Sequence, residues 1–317
     1  MDLAAAQIAV RFALYLDLML VFGFPLFSLY TWRGGQQQGD GEAISAGTLF
    51  ALLLSGAALS VVGMLILAAA MSDVAIFQLN RDTLYALLDG TAIGTAGKIR
   101  IAALVVALPI SVWPTMRPRV RWAIQSCLGA VALGSLAWTG HGAADEGLGG
   151  VGHLAADIVH LLAAGIWLGA LVGLLGLVLR TLVESSDRQA RVVLAHRALA
   201  GFSSVGAVSV GLIILTGLVN SWFLVGVGNV ASLAVSDYGR LLLLKLLVFA
   251  GMIGLAGLNR FKLTPAISKT LGEASAAKAM RPIGRSVALE ASLALAVLAL
   301  VAWLGTLAPP RFGRAHV

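Results

Sequence analysis

Apolar stretches of about twenty residues recur along the whole of this 317-residue chain, and each is long enough to cross a bilayer as an α-helix. Only 12% of residues are charged, against about 25% in an ordinary globular domain. The reading is an all-α, polytopic bundle of eight transmembrane helices near 8–31, 44–70, 92–113, 122–141, 153–180, 201–226, 240–260 and 286–307. Turn-forming residues separate them: the Gly34–Gly41 run after the first, Pro114 and Pro118 after the third, Pro265 and Pro282 around the last internal loop. No soluble domain fits between the spans, so residues 1–317 read as one membrane domain. The longest polar connections, 71–91 and 261–285, are expected to carry short interfacial helices. The start lacks a basic region and a cleavage site, so the first apolar segment is expected to be a retained helix.

Lys and Arg set the expected direction. The connections after spans one, three, five and seven hold fourteen: Arg33, Arg117, Arg119, Arg121, Arg180, Arg188, Arg191, Arg197, Arg260, Lys262, Lys269, Lys278, Arg281 and Arg285. The opposite side holds six: Arg81, Lys98, Arg100, Arg240, Arg311 and Arg314. The richer side should be cytoplasmic, which places both termini and the 142–152 loop in the periplasm. A net charge of +7 carried by such loops orients the chain and does not indicate nucleic acid.

The chemistry-bearing residues concentrate at one loop. His141 closes span four; His153, Asp157 and His160 open span five at i, i+4 and i+7, so they share one helical face. The short connection makes the two helix ends neighbours. Asp145 and Glu146 at its tip would meet an arriving cation before the imidazoles do. Neutral imidazole ligates copper and other borderline metals. His141, His153 and His160, with Asp157 as ligand or orienting group, form the expected metal entrance, and affinity should weaken below about pH 6.5, where an unperturbed histidine protonates. The alternative is interfacial histidines bonded to backbone carbonyls or water.

Thioethers are soft ligands suited to Cu(I). Met71 and Met64 step inward along one face of span two, and Met19 lies near the middle of span one. Seven helical residues span about 10 Å, so Met71 and Met64 would act in sequence, unless both only fill gaps in the core. The single cysteine, Cys127, excludes an internal disulfide and a CxxC motif. Asp17 and Lys245 lie inside spans and must face the protein interior; they are one possible pair. Arg11, Lys98 and Arg100 sit near helix ends, from which their side chains are expected to snorkel toward water. Gly165, Gly169 and Gly173 form a small-residue stripe that reads as a packing face.

The second half resembles the copper resistance protein D (CopD) family. The resemblance runs from Phe202-Ser-Ser-Val-Gly through Leu215-Thr-Gly-Leu-Val-Asn220 and Tyr238-Gly-Arg-Leu-Leu-Leu-Leu-Lys245 to Asn259-Arg260, with Pro265 close behind. His160-Leu-Leu-Ala-Ala-Gly-Ile-Trp167 and Thr139-Gly-His141 are also similar. It covers residues 92–265 best, with the CopD-like region set at 196–300 and the first two spans alike only in topology. The resemblance implies eight spans with periplasmic ends, residence in the bacterial inner membrane, and copper import toward the cytoplasm in copper homeostasis and resistance. Without a fused copper-binding domain or a methionine-rich outer loop, capture would depend on a separate periplasmic copper carrier. The ion is Cu(I) or Cu(II).

Two other readings stand beside import. A b-type haem redox protein would use His141 and His160 as axial ligands. A non-transporting scaffold would hold copper for a partner. No Walker motif, phosphorylation motif or nucleophile–base pair is visible, so an enzyme is not expected.

Overall fold

The computed structural model describes residues 3–31, 45–140, 147–183, 188–270 and 276–310, and among them there is no strand. The helices are α1 (Leu3–Thr31), α2 (Ala46–Ser72), α3 (Arg81–Gly90), α4 (Ala92–Ser111), α5 (Pro118–Gly134), α6 (Gly147–Val183), α7 (Arg188–Leu224), α8 (Asp237–Leu258), α9 (Thr264–Thr270) and α10 (Ala276–Leu304). A 3-10 segment, Ser135–Thr139, continues α5, and a π-helical turn, Asn259–Leu263, joins α8 to α9. Among the described residues eight helices, all but α3 and α9, are long and apolar enough to span a membrane.

Local chemistry explains the boundaries. Ser45, Asn80, Thr91 and Ser236 each accept a backbone N–H with the side chain at the start of α2, α3, α4 and α8, meeting donors that a helix start leaves unpaired. Pro118 opens α5, where its missing N–H costs nothing. The expected short helices between spans are present: Ile76–Gln78 with α3, and α9.

Three expectations need correction. The fifth and sixth spans begin at Gly147 and Arg188, earlier than 153 and 201. The glycines at 149, 150 and 152 favour a loop, but α6 packs along α7, and a Cβ on Gly149 would stand 3.8 Å from the Phe223 ring. In α7, Val192, Ala195 and Leu199 bury one stripe, so packing stabilises the polar first turns. Pro282 does not bound a loop; it lies inside α10.

α1 is the central post, packed against α2, α5, α6 and α10, whereas α8 is the least buried span. Lipid gives helices little hydrophobic reason to associate, so close contact depends on small residues. The α6 glycine stripe provides it. A Cβ on Gly23 of α1 would come within 2.7 Å of Gly169 Cα, and one on Gly173 within 2.7 Å of the Phe27 ring. Gly165 lies against Phe22 and Leu133.

Arg11 pins one end of the bundle, called the near end below. Its guanidinium donates to Gly305 O (2.6 Å) and Thr139 O (3.2 Å), joining the start of α1 to the ends of α10 and of the 3-10 segment. Arg100 also turns inward: it is 3% exposed and its Nε donates to Ser135 Oγ (3.0 Å). Neither snorkels, because helix-end carbonyls and a buried hydroxyl offer acceptors that lipid does not. Lys98 alone of the three stays at the surface, paired with Asp89 (2.7 Å).

Candidate functional site

Three successive residues of the expected α6 face meet three residues of α7. His153 is 1% exposed and stacks on Phe223, with ring centroids 4.5 Å apart and planes at 10°. Asp157 Oδ1 accepts from Asn220 Nδ2 (2.5 Å). His160 Nδ1 bonds Thr216 Oγ1 (2.9 Å). Positions 216, 220 and 223 share one face of α7, so two antiparallel helices carry matching ladders.

The Thr216 bond determines the histidine tautomer. The Thr216 hydroxyl commits its one proton to Leu212 O (2.6 Å), and toward His160 it is therefore an acceptor. Nδ1 carries the ring hydrogen, which leaves the lone pair on Nε2. A metal-binding imidazole needs this arrangement: one nitrogen oriented by a hydrogen bond, the other available.

His160 stands where two cavities meet. The near-end cavity, about 170 Å³, carries a cluster of polar side chains, Asp157, Asn220, Lys245, Tyr15, Tyr238 and Arg11 as well as His160, on an otherwise apolar wall. The second, about 330 Å³, is largely apolar, and its wall includes Met19 of α1, Met252 of α8, Trp167 and Phe249. His160, Gly217, Ser221, Leu242 and Lys245 line both. Lys245 thus shares a cavity with Asp157, not with Asp17, which accepts from Ser55 Oγ of α2 (2.6 Å). Asp157 and Lys245 bring a carboxyl and an amine to the same cavity, and Lys245 also reaches the second.

A third cavity, about 280 Å³, lies toward the far end and shares Leu171 and Ile253 with the thioether cavity. Glu290 of α10 is buried beside it. Its Oε1 accepts from Trp167 Nε1 (2.8 Å) and its Oε2 from Asn259 Nδ2 (3.1 Å).

Met64, Met71 and Cys127 line neither cavity that His160 lines. His141, Asp145 and Glu146 lie outside the described residues. Met71 is 63% exposed. Met64 rests on α4, where a Cβ added to Gly97 would come within 2.6 Å of its Sδ, and it lines a crevice of about 100 Å³ that shares Arg11, Tyr15 and Leu136 with the near-end cavity but does not include His160. Neither methionine shares a cavity with His160. Cys127 is exposed and lines none of these cavities. Among the described residues, no three His, Cys, Asp or Glu side chains gather as a metal site. One imidazole and two thioethers around one cavity are a soft donor set, which suits Cu(I) better than Cu(II).

Family models match in succession along the chain: the copper resistance protein D-like N-terminal domain over residues 1–151 and copper resistance protein D over residues 196–304. Copper resistance protein D of Pseudomonas syringae pv. tomato is 43% identical over 303 residues, 96% of each chain. The chain belongs to the copper resistance protein D family. Copper transport protein CutJ of Bacillus subtilis (strain 168) is 34% identical over 197 residues, 61% of this chain but 34% of that longer protein. Inner membrane protein YebZ of Escherichia coli (strain K12) is 27% identical over 270 residues, covering 83% and 86% of the two chains. No solved structure matches.

For this CopD-family chain, the sequence reading gave no site role to Thr216, Asn220 and Trp167, which entered only as parts of family-like motifs, or to Met252 and Glu290. A signal existed for two of them. Thr216, Asn220 and Phe223 repeat at i, i+4 and i+7, mirroring His153, Asp157 and His160, and two such faces on consecutive spans invite pairing. Met252 and Glu290 had no comparable mark, because a lone methionine or carboxylate in an apolar span acquires meaning only from what packs beside it.

Proposed function

We propose that this protein carries copper across the inner membrane from the periplasm toward the cytoplasm, acting as a permease and not as an enzyme, with copper delivered by a separate periplasmic carrier. The observation that supports this reading is the position of His160. Its Nε2 lone pair sits at the junction of the near-end cavity, which carries Asp157 and Asn220, and a cavity bearing the Met19 and Met252 thioethers. A bare cation cannot enter hydrocarbon depth without ligands, and an imidazole followed by thioethers supplies them for Cu(I). Asp157 would draw the ion in. Membership of a family whose named relatives include a copper resistance protein and a copper transport protein points to the same cargo.

The test is Cu(I) binding and uptake by purified protein in vesicles. His160→Ala should lose both, and Met19→Leu with Met252→Leu should slow uptake at normal protein level. Binding without uptake by the native protein would favour the scaffold, and a Soret band would favour haem. Unchanged binding in His160→Ala would remove the site.

A further inference from the structure

Glu290 is 1% exposed at hydrocarbon depth, and no Lys, Arg or His among the described residues forms an ion pair with it. An isolated buried carboxylate is too costly to remain permanently charged, so it must exchange its charge with something. Both oxygens accept hydrogen bonds, from Trp167 and from Asn259, an arrangement suited to the anion. Asn259 adds a second observation. It is 9% exposed, lines the same far-end cavity, and its Oδ1 has no partner. It also begins the π-helical turn, a feature frequently found at functional sites.

We propose that Glu290 and Asn259 form a proton-binding site in the far half of the bundle, exchanging protons through the cavity they line. The amide serves both states. With Glu290 ionised, Asn259 Nδ2–H donates to Oε2. When a proton arrives from the cavity, an O–H bond forms at Oε2, and the amide turns over so that the now-accepting Oδ1 receives it. No other atom need move, because the two ends of an amide have nearly the same shape. Trp167 holds Oε1 in either state and stands between Glu290 and the thioether cavity, whose wall it also forms. Among the described residues Arg260 is the only other charged side chain lining the far-end cavity; it is exposed and donates to Ser203 O (2.7 Å), not to Glu290. Lys245 and His160 line the cavity beyond Trp167.

The test is infrared difference spectroscopy of the full chain in lipid nanodiscs during a pH titration. The native protein should show a protonated-carboxyl band that comes and goes with pH. Glu290→Gln, whose amide mimics the protonated acid, should lose that band while keeping the native thermal melt, and Glu290→Asp should shift it. Asn259→Leu should displace the midpoint. Asp17 and Asp157 are also buried carboxyls and can add bands of their own, so the comparison is native minus variant: titrating carboxyl bands identical in the native protein and Glu290→Gln, or the lack of any in the native protein, overturn the proposal. This readout needs no copper, so its failure is separable from failure of the transport reading. If uptake occurs, Glu290→Gln should also lose copper-coupled proton movement recorded by a pH-sensitive dye, with Cu(I) binding at His160 retained; unchanged coupling would count against the site.

Discussion

Thr216→Val tests the tautomer argument directly. Valine matches threonine in shape and removes only the hydroxyl that accepts from His160 Nδ1 at 2.9 Å. Two consequences differ in size. For stability, hydrogen bonds between membrane helices average about 0.6 kcal/mol, so melting should move little. For the metal, the loss is larger, because an imidazole without its orienting partner can present either nitrogen. Losing such a partner typically weakens metal binding about 10- to 100-fold. At about 1.4 kcal/mol per tenfold, that is roughly 1.4 to 2.8 kcal/mol. The assay is competition between protein in nanodiscs and a Cu(I) chelator of known affinity, with a thermal melt on the same samples. Thr216→Ser, which keeps the hydroxyl, should bind nearly as the native protein does. Native affinity in Thr216→Val would refute the reasoning, and so would equal losses in the valine and serine variants.

Three further outcomes are expected. Gly169→Ala places a methyl group on the Gly23 backbone and should destabilise the bundle by about 1–3 kcal/mol in a reversible unfolding assay, whereas Gly176→Ala, with open space around it, should be close to neutral. Met64→Leu should take up copper at the native rate, since Met64 fills a notch over Gly97 and lines neither cavity that His160 lines, while the paired Met19→Leu and Met252→Leu change should not. A reporter active only in the cytoplasm should be silent when fused at Val317; strong signal there would reverse the orientation drawn from the Lys and Arg asymmetry.

Much of the architecture follows from the chain's own chemistry. Backbone in hydrocarbon must satisfy its hydrogen bonds within each segment, so apolar length alone specifies eight helices. The helical period puts His153, Asp157 and His160 on one face, and it makes Gly165, Gly169 and Gly173 a contact stripe. None of this depends on a neighbour. What lies across from each face does. The bonds that complete the site join residues far apart in sequence: Asp157 with Asn220, His160 with Thr216, Trp167 with Glu290. In lipid, polarity tells a side chain to turn inward but not toward which helix. Arg100 was therefore legible as an in-membrane charge and not as a partner of Ser135. The same ambiguity made Met64 and Met71 look like a path while Met19 and Met252 share the cavity of His160. Tertiary packing made that choice, because α1 and α8 border the His160 cavity and α2 does not.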